Sequence, residues 1–269
     1  MLRIFTDTAA NVPPHLLEQY HITAMPLTYL LDGQPTELVG HDYYEAMRKG
    51  AEVKTSLVSP ALIRDTMESA LKDGDDVLYI AISGGISGTC WSAELMAEEL
   101  RSEYPDRMIR VLNTCGASLG EGLVVLEAAK MLEKGCTADE IIRQAEENCG
   151  RMRQFFMVDD LKYLRRGGRI SAAAQVAGSR AEDQAHPSVR SGGPHHPAQQ
   201  GSWSAEGHGD AGGVVQGVRR DGTRTVGIAH ADCPDGALRL QAKLRDAGQT
   251  GEILSVCYEP VTGGHVGPG

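Results

Sequence analysis

The sequence predicts an α/β fold built on a largely parallel sheet, and three observations carry the prediction. Strand, turn and helix signals repeat in that order through residues 1–170. Within that stretch, Asp76-Val77-Leu78-Tyr79-Ile80-Ala81-Ile82 is apolar from its second residue onward, as strands buried on both faces of a parallel sheet are. The helices also carry their own start and stop signals, among them the capping box Thr137-Ala138-Asp139-Glu140.

Each element follows from its local chemistry. Leu2-Arg3-Ile4-Phe5 is a short strand that ends in the polar turn Thr6-Asp7-Thr8-Ala9. Val12-Pro13-Pro14 opens a helix running to residue 20, with proline in its tolerated first-turn position. Ser59-Pro60 reads as the N-cap and first turn of a helix over 61–72. After the strand at 76–82 comes the Gly/Ser turn Ser83-Gly84-Gly85-Ile86-Ser87-Gly88-Thr89, then a helix over 89–100. Met108-Ile109-Arg110-Val111-Leu112 is the next strand, followed by a helix to residue 133 and another over 140–149. Leu161 to Ser171 contains a short helix closed by Gly167-Gly168, with Arg165 and Arg166 in its last turn. Residues 225–230 and 253–257 are strands flanking an amphipathic helix over 235–247. The final Gly263-Gly264-His265-Val266-Gly267-Pro268-Gly269 reads as a Gly/Pro turn.

Composition narrows the function classes. The 269 residues carry 26 Lys+Arg against 36 Asp+Glu, a net charge of -10, which argues against a nucleic-acid protein. No run of about 18 apolar residues is present to span a membrane. The N-terminus lacks the pattern of a secretory signal, so a cytoplasmic location is expected. Cys90, Cys115, Cys136, Cys149, Cys233 and Cys257 form no CxxC, and no His stands at ligand spacing. Neither a metal nor a cofactor is expected, and the cysteines read as buried, reduced thiols.

The strongest local feature is the Ser83–Thr89 turn. A Gly/Ser turn between a buried strand and a helix gathers backbone N–H groups, hydroxyls and the positive end of a helix dipole, a setting suited to phosphate or carboxylate. Its glycine spacing fits neither a dinucleotide fingerprint nor a P-loop. Gly85-Ile86-Ser87-Gly88 also approaches a nucleophile elbow, with Thr89 where that motif has its last Gly. Ser87 as nucleophile of a small-ester serine hydrolase, with His265 as base, is therefore the alternative reading. Lys54-Thr55-Ser56 and the cationic segment around Arg165 and Arg169 are weak signals taken singly.

Taken in order, the motifs resemble the DegV family of bacterial fatty-acid-binding proteins. They are Thr6-Asp7-Thr8, Thr55-Ser56, Ser83 to Thr89, Asp160-Leu161 through Arg169-Ile170-Ser171, Ile228-Ala229-His230-Ala231-Asp232 and His265-Val266-Gly267-Pro268-Gly269. The resemblance implies two α/β domains with a lipid-binding cleft between them, 1–155 and 156–269. It implies a long-chain fatty acid whose carboxylate is held by Thr55 and Ser87, with His265 close by. It further implies no catalysis by this chain itself. The carboxylate would be presented to a separate ATP-dependent fatty acid kinase subunit, for phospholipid metabolism, without stable membrane insertion.

One segment departs from the family pattern. Residues 179–217 contain no Ile, Leu, Met, Phe, Tyr or Cys, and cannot build a core. Reading the last two bases of each codon with the first of the next, residues 182–187 permit Lys-Ile-Lys-Pro-Ile. Residues 200–203 then permit Lys-Val-Arg-Gly. Both are strings the family pattern calls for at about this place. The expectation is that 179–217 is out of frame, interrupting a C-terminal domain that the family pattern would continue a little past residue 269.

Overall fold

The N-terminal strand and its first polar residues organise the computed structural model, which describes residues 1–156, 158–169 and 222–269. Strand β1 (Leu2–Asp7) lies inside a four-stranded sheet with β2 (Thr23–Met25), β6 (Asp76–Ala81) and β7 (Ile109–Asn113), in the order β2-β1-β6-β7. Every pairing in it is parallel, as the buried apolar run of β6 requires. Around this sheet stand α1 (Pro14–Gln19), α3 (Pro60–Lys72), α4 (Thr89–Glu103), α5 (Leu119–Glu133) and α6 (Ala138–Arg151). The remaining N-terminal elements are β3 (Thr28–Leu31), β4 (Gln34–Pro35), α2 (Gly40–Arg48) and β5 (Val53–Ser56), with sheet order β4-β3-β5.

The C-terminal elements are α7 (Lys162–Arg166), β8 (Val226–His230), α8 (Pro234–Asp246), β9 (Ile253–Cys257) and α9 (Pro260–Val266). Strands β8 and β9 pair in parallel, and Ile228, Ala237 and Leu244 close a small core beneath them. Residues 179–217, with the reading-frame expectation attached to them, lie outside the described residues.

The chain divides into two compact units. Met1–Leu30 and Thr55–Gln154 belong to the first, and Leu31–Lys54 joins residues 155–156, 158–169 and 222–269 in the second. The units divide at 154/155, and α2 sits with the C-terminal elements. The reason is specific. The Tyr43 hydroxyl donates to the Pro260 carbonyl at 2.7 Å, and the Tyr44 hydroxyl donates to the Tyr258 carbonyl at 3.0 Å.

In the first unit, three consecutive polar residues at the end of β1 pin three elements. Thr6 Oγ1 donates to the buried Glu121 of α5 at 2.9 Å. Asp7 accepts from the Ala9 N–H and from the Ile82 N–H, each at 3.1 Å. Thr8 Oγ1 accepts from the Leu27 N–H at 3.1 Å. Burying such groups is tolerable because each is hydrogen-bonded.

Local signals behave as the physics says they should, with exceptions. The Thr137 capping box forms, with Glu140 accepting from the Thr137 N–H at 2.9 Å. Ser59 stands at the N-cap of α3 but makes no side-chain capping bond. The cysteines are all free, yet only Cys90 and Cys149 are buried, while Cys257 is exposed. Burial pushes those two buried thiols up to about 11 and about 12, so they behave as apolar side chains.

Gly122 shows where packing overrides helix propensity. A Cβ there would lie 2.3 Å from the Ala10 carbonyl oxygen, closer than any real contact. Gly→Ala inside a helix ordinarily stabilises by about 1 kcal/mol. Gly122→Ala is expected to lower stability instead, by about 1–3 kcal/mol from overpacking. A rise in the urea midpoint would contradict this account of the β1–α5 junction.

Candidate functional site

The Ser83–Thr89 turn is anchored from below. The Ile82 N–H is held by Asp7, and the Ser83 N–H donates to the Gly116 carbonyl at 2.8 Å. The Gly84 N–H donates to Asn113 Oδ1 at 3.2 Å and the Gly85 N–H to Ser83 Oγ at 3.2 Å. The Ile86 and Ser87 N–H groups both donate to the Ser83 carbonyl at 3.1 Å. The sequence suggests a turn full of amides available to an anion. The structure corrects this, because the amides of residues 82–87 are engaged in fixing the turn itself. What remains for an anion are hydroxyls and the first turn of α4.

Those hydroxyls form a short chain. Ser87 Oγ accepts from the Thr89 N–H at 3.2 Å and lies 3.0 Å from Thr89 Oγ1. Thr89 Oγ1, fully buried, in turn accepts from the Val58 N–H at 3.4 Å. Either hydroxyl can donate in the Ser87–Thr89 contact; with Thr89 as the donor, the Ser87 proton points outward. A hydroxyl that already accepts two hydrogen bonds is a polarised donor, suited to a carboxylate oxygen.

The segment that follows Thr55 is tied to the same turn. Thr55 is half-buried at the end of β5, and Val58, three residues on, is tied to Thr89. Leu57 packs on Gly88, where a Cβ would meet Leu57 Cδ2 at 3.1 Å. The structure therefore ties the segment after Thr55 to the turn that holds Ser87. Among the described residues, the Ser87 hydroxyl bonds to Thr89 and to no imidazole or carboxylate.

His265 belongs to the second unit. The sequence reads its surroundings as a Gly/Pro turn, but the residue lies in the last turn of helix α9. Glu259 starts that helix by accepting from the Val261 and Thr262 N–H groups, with Pro260 at its first position. The glycines that suggested a turn serve close approach instead. A Cβ at Gly263 would sit 2.0 Å from the Tyr44 hydroxyl, and one at Gly264 would sit 2.8 Å from that of Tyr43. A Cβ at Gly167 would lie 2.0 Å from His265 Nδ1, so the α7 C-cap must be glycine. Burial, and secondarily the Arg169 charge, push the His265 imidazole down to about 4. It is neutral at physiological pH and can offer a ring N–H without adding a charge.

The two late motifs meet in this unit. The Ala231 N–H donates to the Gly269 carbonyl at 3.3 Å, and the Gly269 N–H returns the bond at 2.9 Å. Asp232 is held by Arg48 at 2.6 Å and by His41 Nδ1 at 2.9 Å. Arg48 and His41 together hold its carboxyl below the usual range, against the opposing effect of desolvation. Residue reasoning did not single out Tyr43, Tyr44 or Asp232 as supports. The adjacent tyrosines in a short amphipathic helix were the available signal for the first two. Among the described residues, no group of His, Cys, Asp or Glu is arranged to hold a metal. No helix there is long and apolar enough to cross a membrane.

Comparison with known proteins agrees on one family. A family model described as "Uncharacterised protein, DegV family" matches residues 1–182. A DegV domain-containing protein of Clostridium perfringens is 32% identical over 277 residues, covering 99% of this chain and 94% of that protein. A DegV family protein from Thermus thermophilus, solved in a study of its fatty acid binding, superposes with a TM-score of 0.81 at 26% identity. That match covers 100% of this chain and 96% of that one. DegV of Bacillus subtilis, described as a fatty acid binding protein, gives a TM-score of 0.78 at 25% identity with the same coverage.

The His265 environment sets a pH dependence. Its imidazole has an ordinary value of 6.5, held in the unfolded chain, and about 4 when folded. Above the first value both states are neutral and the group contributes no slope. Between the two the unfolded chain alone takes up a proton, so stability falls with falling pH, by up to about 3 kcal/mol in all. His265→Gln is expected to flatten the stability profile in that window, measured by urea unfolding across pH. An unchanged slope would show that His265 is not held neutral.

Proposed function

The chain belongs to the DegV family, and from that premise we propose that it binds a long-chain fatty acid. Thr55 and Ser87 hold the carboxylate, His265 contributes a neutral ring N–H, and the chain catalyses nothing itself. It presents the carboxylate to a separate ATP-dependent kinase subunit, whose product is an acyl phosphate destined for phospholipid metabolism. The observation that carries this reading is the Val58–Thr89–Ser87 hydrogen-bond chain, which fixes a hydroxyl pair at the head of a helix. Fatty acid binding by the Thermus thermophilus and Bacillus subtilis relatives supports the choice of ligand.

The chemistry favours neutral donors at such a site. A guanidinium on the carboxylate would bind it strongly but draw off the charge that must attack the γ-phosphorus of ATP. Hydroxyls and a neutral imidazole orient the oxygen while leaving its electron pair more available. Charge-assisted bonds to hydroxyls still contribute about 1.5–3 kcal/mol each. The acyl tail supplies the rest, at roughly 0.8 kcal/mol per buried CH₂.

Native mass spectrometry of the full chain expressed in bacteria tests this. The protein is expected to carry one fatty acid. Thr55→Ala and Ser87→Ala should each weaken retention, by about tenfold or more. A lipid-free wild type, or undiminished retention in both variants, would overturn the assignment.

A further inference from the structure

Beside the Ser83–Thr89 turn, the first unit exposes apolar side chains that its own core does not use. Trp91 is 62% exposed, Leu95 61%, Leu57 39% and Leu62 37%. Leu57 rests on Gly88, and the Trp91 ring lies over Gly84, where a Cβ would meet Nε1 at 2.8 Å. The indole N–H donates to the Gly84 carbonyl at 3.0 Å, so the exposed ring is fastened to the turn. Leu95 follows one helical turn along α4, and Leu62 sits in the first turn of α3, which packs along α4. An exposed cluster of this kind, held in place by a hydrogen bond, marks an interaction surface.

Its rim says what the surface accepts. Arg101 is engaged by Glu94 at 2.8 Å and Glu98 at 3.0 Å, and Arg64 by Glu103 at 2.9 Å and Glu99 at 3.6 Å. Four carboxylates therefore face two arginines, and the rim is net negative. An anionic lipid surface attracts basic segments and is disfavoured here. A second copy of this face is disfavoured too, because an isologous contact would set the acidic rim against itself.

We propose that this face docks the kinase subunit, through an apolar pocket on that subunit ringed by Lys and Arg. The proposal rests on the reading given above, since it names the partner surface of the same site. Docking here seats the partner against the turn that carries Ser87. The attachment of Trp91 to Gly84 couples the contact to the turn's geometry.

Trp91 reports the contact. In a full-length Trp203→Phe background it is the single tryptophan of a chain that has two. Its emission is expected to shift to the blue when the purified kinase subunit of the same organism is added. Leu95→Ser, or Glu94→Lys with Glu98→Lys, should weaken that response about tenfold. Leu95→Ser should also slow acyl phosphate formation while leaving the bound lipid measured by mass spectrometry unchanged. A shift produced by phosphatidylglycerol vesicles, or by raising the concentration of this chain alone, would overturn the proposal in favour of a membrane or a second copy. No shift with the kinase subunit overturns it outright. Lipid lost in Thr55→Ala, with kinase coupling intact in Leu95→Ser and in the charge variants, would sink the docking face and leave fatty acid binding standing. A lipid-free wild type would sink the parent reading, while the Trp91 response still decides the docking.

Discussion

The buried carboxylate of Asp7 is the constraint on which the first unit depends. It sits at the end of β1 and accepts from the Ala9 and Ile82 N–H groups. One side chain thereby fixes both the exit of β1 and the exit of β6, the two central strands of the parallel sheet. Its neighbours extend the same role, Thr6 to α5 and Thr8 to the segment after β2. A turn suspended from such an anchor can hold its shape without help from a ligand. Preorganisation of that sort lowers the cost of ordering a binding group.

The site follows from this rigidity. Because residues 82–87 direct their amides inward, the turn is stiff and presents side chains rather than backbone to an anion. Ser87 is held by Thr89, whose own hydroxyl accepts from the Val58 N–H. In the second unit the same economy of charge recurs. His265 is held neutral by burial, and its helix is capped by Glu259 and seated by two tyrosine hydroxyls through glycines that let them approach. Each unit thus relies on oriented neutral groups.

How much of this was legible in the sequence depended on whether the cause was local. Strand β6 and the Thr137 cap were readable because apolar runs and capping boxes act within a few residues. Strand β5 was not, since Val53-Lys54-Thr55-Ser56 is half exposed and too short to show a period. The grouping of residues 31–54 with the C-terminal elements rests on tyrosine contacts to residues 258 and 260, which no local pattern encodes. Helix α9 was misread as a turn because its glycines look like breakers until the tyrosines that need them are seen. The family resemblance singled out Thr55, Ser87 and His265, but the partners that bond or seat Ser87 and His265 emerge from tertiary structure alone.

The central claim is that a fatty acid carboxylate is held by hydroxyls at the head of α4. A crystal structure of the full chain with palmitate bound tests it most directly. The account predicts a carboxylate oxygen within about 3 Å of Ser87 Oγ and of Thr55 Oγ1, with the Ser87–Thr89 contact retained. A head group resting elsewhere, with both hydroxyls turned away from it, would contradict the account.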